Sequence, residues 1–170
     1  MASGNLLNVF MPQAAEFPVA NYPAFDSRGA SFPLVCLQFD AAVQEAVVFR
    51  DILPPYYSGG GVNVSLYWCA FTAITGNVRW QALFSRLWLP AGPDIDFDSF
   101  ATAVAVVSAA QTTAAGQLSK ATMFFANGLT FMQSLQAGEM FKLQVARVAA
   151  DGTDTMVGDA SLIGVEIYEA

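Results

Sequence analysis

The chain has 170 residues, of which 55% are hydrophobic and only 12% charged, with seven basic side chains against fourteen acidic ones and a net charge of −7. That balance disfavours binding to a nucleic-acid backbone, which needs clustered Lys and Arg, and the complete absence of histidine excludes Ser-His-Asp or Cys-His catalysis and every His-ligated metal site. A single domain of this length buries roughly 70% of its unfolded surface without staples, and a charge content about half the usual share implies that neighbouring subunits cover much of its exterior.

Residues 1–30 interleave Phe10, Phe17, Tyr22 and Phe25 with Pro12, Pro18 and Pro23. Prolines interrupt any ladder or helix while the aromatics oppose free disorder, so this stretch reads as an extended arm lying on its own domain or on a neighbour, the alternative being a loose leader. Met1 to Met11 contains no basic residue and no unbroken apolar core, so no secretory signal is expected. No apolar run reaches the ~18 residues needed to span a bilayer. A single sandwich domain is expected to fill residues 31–170.

Its first strand is residues 31–39, apolar on both faces and therefore placed inside a sheet. A second run, 43–49, ends at Arg50-Asp51 and Pro54-Pro55. Residues 53–61 form a corner that is stiff in its prolines and loose in Gly59-Gly60-Gly61. Next come two long alternating runs, 62–73 and 78–89, joined by Gly76-Asn77. Val62, Val64, Leu66, Trp68 and Ala70 share one face of the first, and Val78, Trp80, Ala82, Phe84 and Trp88 one face of the second. Period two with a Gly-Asn turn predicts a long antiparallel hairpin.

Downstream, Pro90 to Pro93 break the chain and Asp94, Asp96 and Asp98 follow in a loop. Residues 102–108 read as a strand on their valines, although their alanines suit a helix. Residues 117–125 form another strand, 129–138 a single helical turn or structured loop, and 140–148 a strand with Phe141, Leu143 and Val145 inward. The last strand, 159–168, places Ile163, Val165 and Ile167 on one face. About eight strands with loops of unequal length define an all-β, antiparallel two-sheet sandwich of jelly-roll type.

Few residues suggest chemistry. Cys36 and Cys69 sit in apolar runs and read as buried, reduced thiols. The acidic loop 94–98 lacks the Gly and the closing Glu of a calcium loop and reads as solvated; Asp151, Asp154 and Asp159 are expected at one end of the sandwich, a solvated group with metal binding as the lesser alternative. Among Asp40, Glu45, Glu139 and Glu166 no spacing singles out a glycosidase pair. The expectation is a non-enzyme without cofactors. Trp68 and Trp80 belong to the core rather than to a sugar platform, while Tyr56 and Tyr57 beside the glycines suit contact with a partner.

The run 53–68, from Leu53-Pro54-Pro55-Tyr56-Tyr57 through Gly59-Gly60-Gly61 to Trp68, together with Gly76-Asn77-Val78-Arg79-Trp80 and the closing residues 158–167, resembles jelly-roll cement or decoration proteins of tailed bacteriophages. The resemblance spans residues 31–168. It implies a structural virion protein made in the host cytoplasm, a dimer or trimer that binds the major capsid protein on the outer surface of the head and bridges capsomers. Phe10, Phe17, Tyr22, Phe25, Tyr56 and Tyr57 would then be its contact residues. A glycan- or receptor-binding sandwich module of a tail or fibre is the other reading of the same residues.

Overall fold

A computed structural model describes residues 4–29, 31–72, 75–87, 99–110 and 114–170. The strands are β1 (Leu6–Phe10), β2 (Ala24–Arg28), β3 (Leu34–Phe39), β4 (Glu45–Ile52), β5 (Gly61–Ala70), β6 (Asn77–Leu87), β7 (Val104–Ala109), β8 (Ser119–Ala126), β9 (Met140–Arg147) and β10 (Ala160–Glu169). The first sheet runs β2-β3-β10-β5-β8, with β1 also paired to β10, and the second runs β4-β9-β6-β7. Every pairing is antiparallel. The protein is thus an all-β two-sheet sandwich, with no α-helix among the described residues.

The expected hairpin is not formed. β5 pairs with β10 and β8, whereas β6 pairs with β9 and β7, so the chain crosses between sheets around Gly76. Each run carries its own wide apolar stripe, and placing the two in opposite sheets lets the stripes bury one another. Trp68 of β5 meets Trp80 of β6 across the core, with ring centroids 6.0 Å apart. Gly76 has φ of 98° and lies so close to the backbone of residues 155–156 that a Cβ would approach Met156 N to 2.9 Å. The glycine serves this tight crossing rather than a two-residue hairpin.

Residues 1–30, expected as an arm, contribute two strands to the first sheet. Phe10 is buried, stacked on Phe49 at 5.2 Å and edge-on to Phe141 at 6.4 Å. Between β1 and β2 the chain passes to the other sheet, where Glu16 and Val48 exchange backbone hydrogen bonds of 2.7 and 2.9 Å. That bridge covers the open edge of β4, a common defence against edge-to-edge pairing.

The core is aromatic. Phe39 meets Trp80 edge-on at 5.1 Å, and Phe84 packs against Phe125 and Phe141 at 5.0 and 5.6 Å. One charged pair is enclosed at the end of the sandwich: Arg147 and Asp154, whose side chains are 0% and 1% exposed. Cys36 and Cys69 are free and buried, and burial pushes the Cys69 thiol up to about 11.

Candidate functional site

In β5 the even-numbered residues enter the core, so Asn63, Ser65 and Tyr67 point away from it on the outward face of the first sheet. The register sets their neighbours. On one side Asn63, Ser65 and Tyr67 lie opposite Phe124, Thr122 and Lys120 of β8. On the other side Asn63 lies opposite Tyr168 and Ser65 opposite Glu166, both of β10. Partners across an antiparallel pair share a face, which gathers these side chains on one surface.

A bulge between Leu162 and Gly164 decides what β10 contributes. Ser161 and Leu162 alternate normally, the extra residue shifts the phase, and beyond it Val165 and Ile167 are core while Glu166 and Tyr168 face outward. Glu166 then accepts both phenols: Tyr67 Oη donates to Glu166 Oε2 at 2.7 Å and Tyr168 Oη donates to the same oxygen at 2.6 Å. The Lys120 ammonium stands 5.0 Å from the Tyr67 ring centre and 5.7 Å from that of Tyr168. Ser65 and Thr122 share a hydroxyl hydrogen bond of 3.0 Å. Asn63, Ser65, Lys120, Thr122, Tyr168 and Glu169 line a depression of about 500 Å3 on this face.

The electrostatics follow from those contacts. Donation by the Tyr168 hydroxyl, then by that of Tyr67, lowers the Glu166 pKa, and Lys120 adds to the effect. The same bond, felt from the phenol, pushes Tyr168 up to about 12. Glu169 is also lowered, by the hydroxyl and backbone N–H of Ser58. The Tyr168 shift is upward, so its contribution to stability is complete below the ordinary tyrosine value of about 10 and is lost as pH rises through about 12. For Glu166 the contribution is present above the ordinary carboxylate range and lost as pH falls through the lowered value. An ultraviolet titration of the five tyrosines should show Tyr168 and Tyr57, the latter raised by burial, ionising late. Glu166→Gln should return Tyr168, but not Tyr57, towards the usual range; an unchanged curve would break the phenol–carboxylate link.

The six aromatic residues singled out from the sequence do not converge. Phe10 is in the core and Tyr57 is 5% exposed, accepting a hydrogen bond from Gly61 N–H at 3.1 Å. Tyr56 is exposed and donates to Leu6 O at 2.9 Å. Phe25 projects at the free edge of β2, and Phe17 and Tyr22 meet edge-on at 5.5 Å near a separate hollow on the second sheet. Trp68 and Trp80 are fully buried, and Trp88 lies outside the described residues, as do Asp94, Asp96 and Asp98. Of the acids, Asp40 caps the N–H groups of Ala42 and Val43, Glu45 accepts from Asp40 N–H, and Glu139 pairs with Arg86. Asp151 pairs with Arg79, Asp154 with Arg147, and Asp159 accepts from Gln38. No group of acids and cysteines suited to a metal ion occurs among the described residues.

No protein-family model matches the sequence, and no curated protein is similar to it. Solved structures do share its fold. A family 35 carbohydrate-binding module from an environmental isolate superposes with a TM-score of 0.52 at 10% identity, covering 96% of this chain and 98% of that one. A CBM22 xylan-binding domain from Paenibacillus barcinonensis gives 0.51 at 10% identity, covering 99% and 97%. A CBM35 module from Cellvibrio japonicus gives 0.50 at 12%, covering 94% and 92%. The chain therefore has the jelly-roll sandwich fold seen in carbohydrate-binding modules.

This corrects the resemblance to phage cement and decoration proteins. The structural likeness is to carbohydrate-binding modules, and a virion, capsid or cement role has no support in it. The run 53–68 and the closing residues 158–167 consist of turn formers and strand formers that any long-stranded sandwich needs. They carry information about fold and none about where the protein works.

Proposed function

We propose that this chain is a non-catalytic carbohydrate-binding module that holds a sugar chain across the outward face of the first sheet. The observation that carries the reading is the cluster of Tyr67, Tyr168, Lys120 and Glu166 beside the polar depression. Sugars present apolar C–H faces and a fringe of hydroxyls. Aromatic rings and long aliphatic stems suit the first, and the amide, hydroxyl and ammonium groups of Asn63, Thr122 and Lys120 suit the second. Phe124, 55% exposed at the far end of the same face, adds a further ring.

Glu166 ties both phenols before any ligand arrives, so little side-chain freedom remains to be lost on binding. From Asn63 to Tyr67 the strand advances roughly 13 Å, which favours a short oligosaccharide segment over one ring. The same site is poorly suited to hydrolysis: Glu166 is committed to two tyrosines and held in its charged form, and Glu169, the carboxylate lining the depression, accepts from Ser58 N–H and the Asn5 amide.

The test is affinity electrophoresis of the full chain against soluble xylan, mannan, β-glucan and pectin, followed by calorimetry on whichever retards it. Tyr168→Ala should weaken binding about tenfold, near 1.4 kcal/mol, without lowering thermal stability appreciably. Retardation by none of the polymers, or equal retardation of the variant, would overturn the reading.

A further inference from the structure

Past Tyr67 the outward face of the first sheet changes character. Val9 on β1, Met11 just after it and Leu118 just before β8 remain 44%, 56% and 55% exposed. With Ile163 and Tyr67 they enclose a hollow of about 210 Å3 whose floor is the bulge at Gly164. Single exposed apolar residues need no explanation; here several drawn from different elements line one hollow. This hollow adjoins the polar depression one rung along the same strands: Tyr67 and Glu166 stand on its border, next to Ser65, Lys120 and Tyr168.

Gly164 shows that the fold does not require the hollow to be empty. It does not adopt a positive φ, so its backbone accepts any L residue. A Cβ there would meet only Phe10 O at 3.6 Å and Met11 Sδ at 3.8 Å, which are ordinary contacts. The missing side chain keeps open a space that the backbone would allow to be filled.

We propose that the ligand of this face is a sugar bearing an apolar O-linked substituent, an acyl or aryl group. The substituent occupies the Val9–Met11–Leu118 hollow while the sugar lies on the polar rungs of Thr122 and Lys120. The inference rests on the carbohydrate reading above. It follows from the order of surfaces along β5: hydroxyl and amide groups first, then a ring pinned by Glu166, then an apolar recess. A bare polysaccharide would leave the recess unfilled and its lining wet.

Two arms test the proposal and separate the two kinds of substituent. In one, the full chain is titrated with methyl and phenyl β-glycosides of xylose, glucose, galactose and mannose, following backbone amide shifts by NMR. In the other, acetylated and alkali-deacetylated xylan and mannan are compared in affinity gels. At least a tenfold preference for the phenyl over the methyl glycoside of the recognised sugar, with shifts at Val9, Leu118 and Gly164, supports the proposal and assigns an aryl group. The same preference for acetylated polymer supports it and assigns an acyl group. Gly164→Val, which fills the hollow, should bring the preference to near one, and Leu118→Asn, a change at an exposed side chain, should reduce it independently. Equal binding of substituted and bare ligands, or a preference that survives both variants, overturns this proposal and leaves carbohydrate binding standing. Binding of no glycoside and no polymer overturns both.

Discussion

Asp154→Ala is expected to cost about 3–5 kcal/mol, the range for breaking a buried ion pair by removing one partner. Arg147 reaches Asp154 through Nε at 3.0 Å and Nη2 at 2.8 Å. Its remaining donors go to backbone carbonyls: Nη2 to Met156 O at 2.7 Å, and Nη1 to Gly158 O at 2.8 Å and Phe39 O at 3.3 Å. All five guanidinium N–H groups are thereby used. Asp154 also accepts the backbone N–H of Arg79 at 3.0 Å. With the carboxylate removed, a fully buried cation keeps three carbonyl dipoles and loses its hydrogen-bonded counter-charge. β10 starts two residues beyond Gly158, so the clamp also fixes how the strand bearing Glu166 and Tyr168 enters the sheet. Urea unfolding should show a lower midpoint with an unchanged slope. Asp151→Ala supplies the contrast, because its pair with Arg79 at 3.1 Å is about one-third exposed and screened by water. Equal midpoints for the two variants would show that the enclosed pair is no more important than the open one.

How much of this was legible depends on which physical signal each feature leaves. Alternation fixed which side chains of 62–70 and 78–84 are buried, because period two is a property of one strand alone. It is silent on which strand lies alongside, and a Gly-Asn pair fits a sheet-to-sheet crossing as well as a hairpin. Residues 104–109 form a strand despite their alanines, because β6 offers a ladder and an isolated helix would have lacked a packing partner. The prolines of the first thirty residues do break regular structure, but β1 ends before Pro12 and β2 starts after Pro23, leaving room for two strands of five residues. The binding face was the least legible part. Tyr67, Lys120 and Glu166 come from three strands distant in sequence, and the bulge that turns Glu166 and Tyr168 outward is announced only by Gly164. Reading residues 163, 165 and 167 as one face missed that change of phase: Val165 and Ile167 are core, while half-buried Ile163 lines the outer hollow.

Trp80→Ala should also cost about 3–5 kcal/mol, the usual range for truncating a large aromatic in a packed core. The side chain is fully buried and reaches from the second sheet to the first, meeting Phe39 of β3 at 5.1 Å with an interplanar angle of 86° and Trp68 of β5 at 6.0 Å and 62°. Removing it leaves a void between the sheets, and the two rings packed against it are too rigid to fill that space. Replacement by phenylalanine separates shape from polarity. Trp68 Nε1 donates to Ser108 Oγ at 3.0 Å in the interior, so Trp68→Phe strands a buried hydroxyl at a cost of about 1–3 kcal/mol in addition to lost contact. Trp80 Nε1 is buried without a hydrogen-bond partner among the described residues, so Trp80→Phe removes an unsatisfied donor along with the extra ring. The expected order of unfolding midpoints, followed by far-ultraviolet circular dichroism, is Trp80→Phe above Trp68→Phe, with Trp80→Ala lowest. If Trp80→Phe proves the more damaging of the two phenylalanine variants, the indole N–H at position 80 must be satisfied after all, and the hydrogen bond from Trp68 to Ser108 is not what distinguishes the two tryptophans.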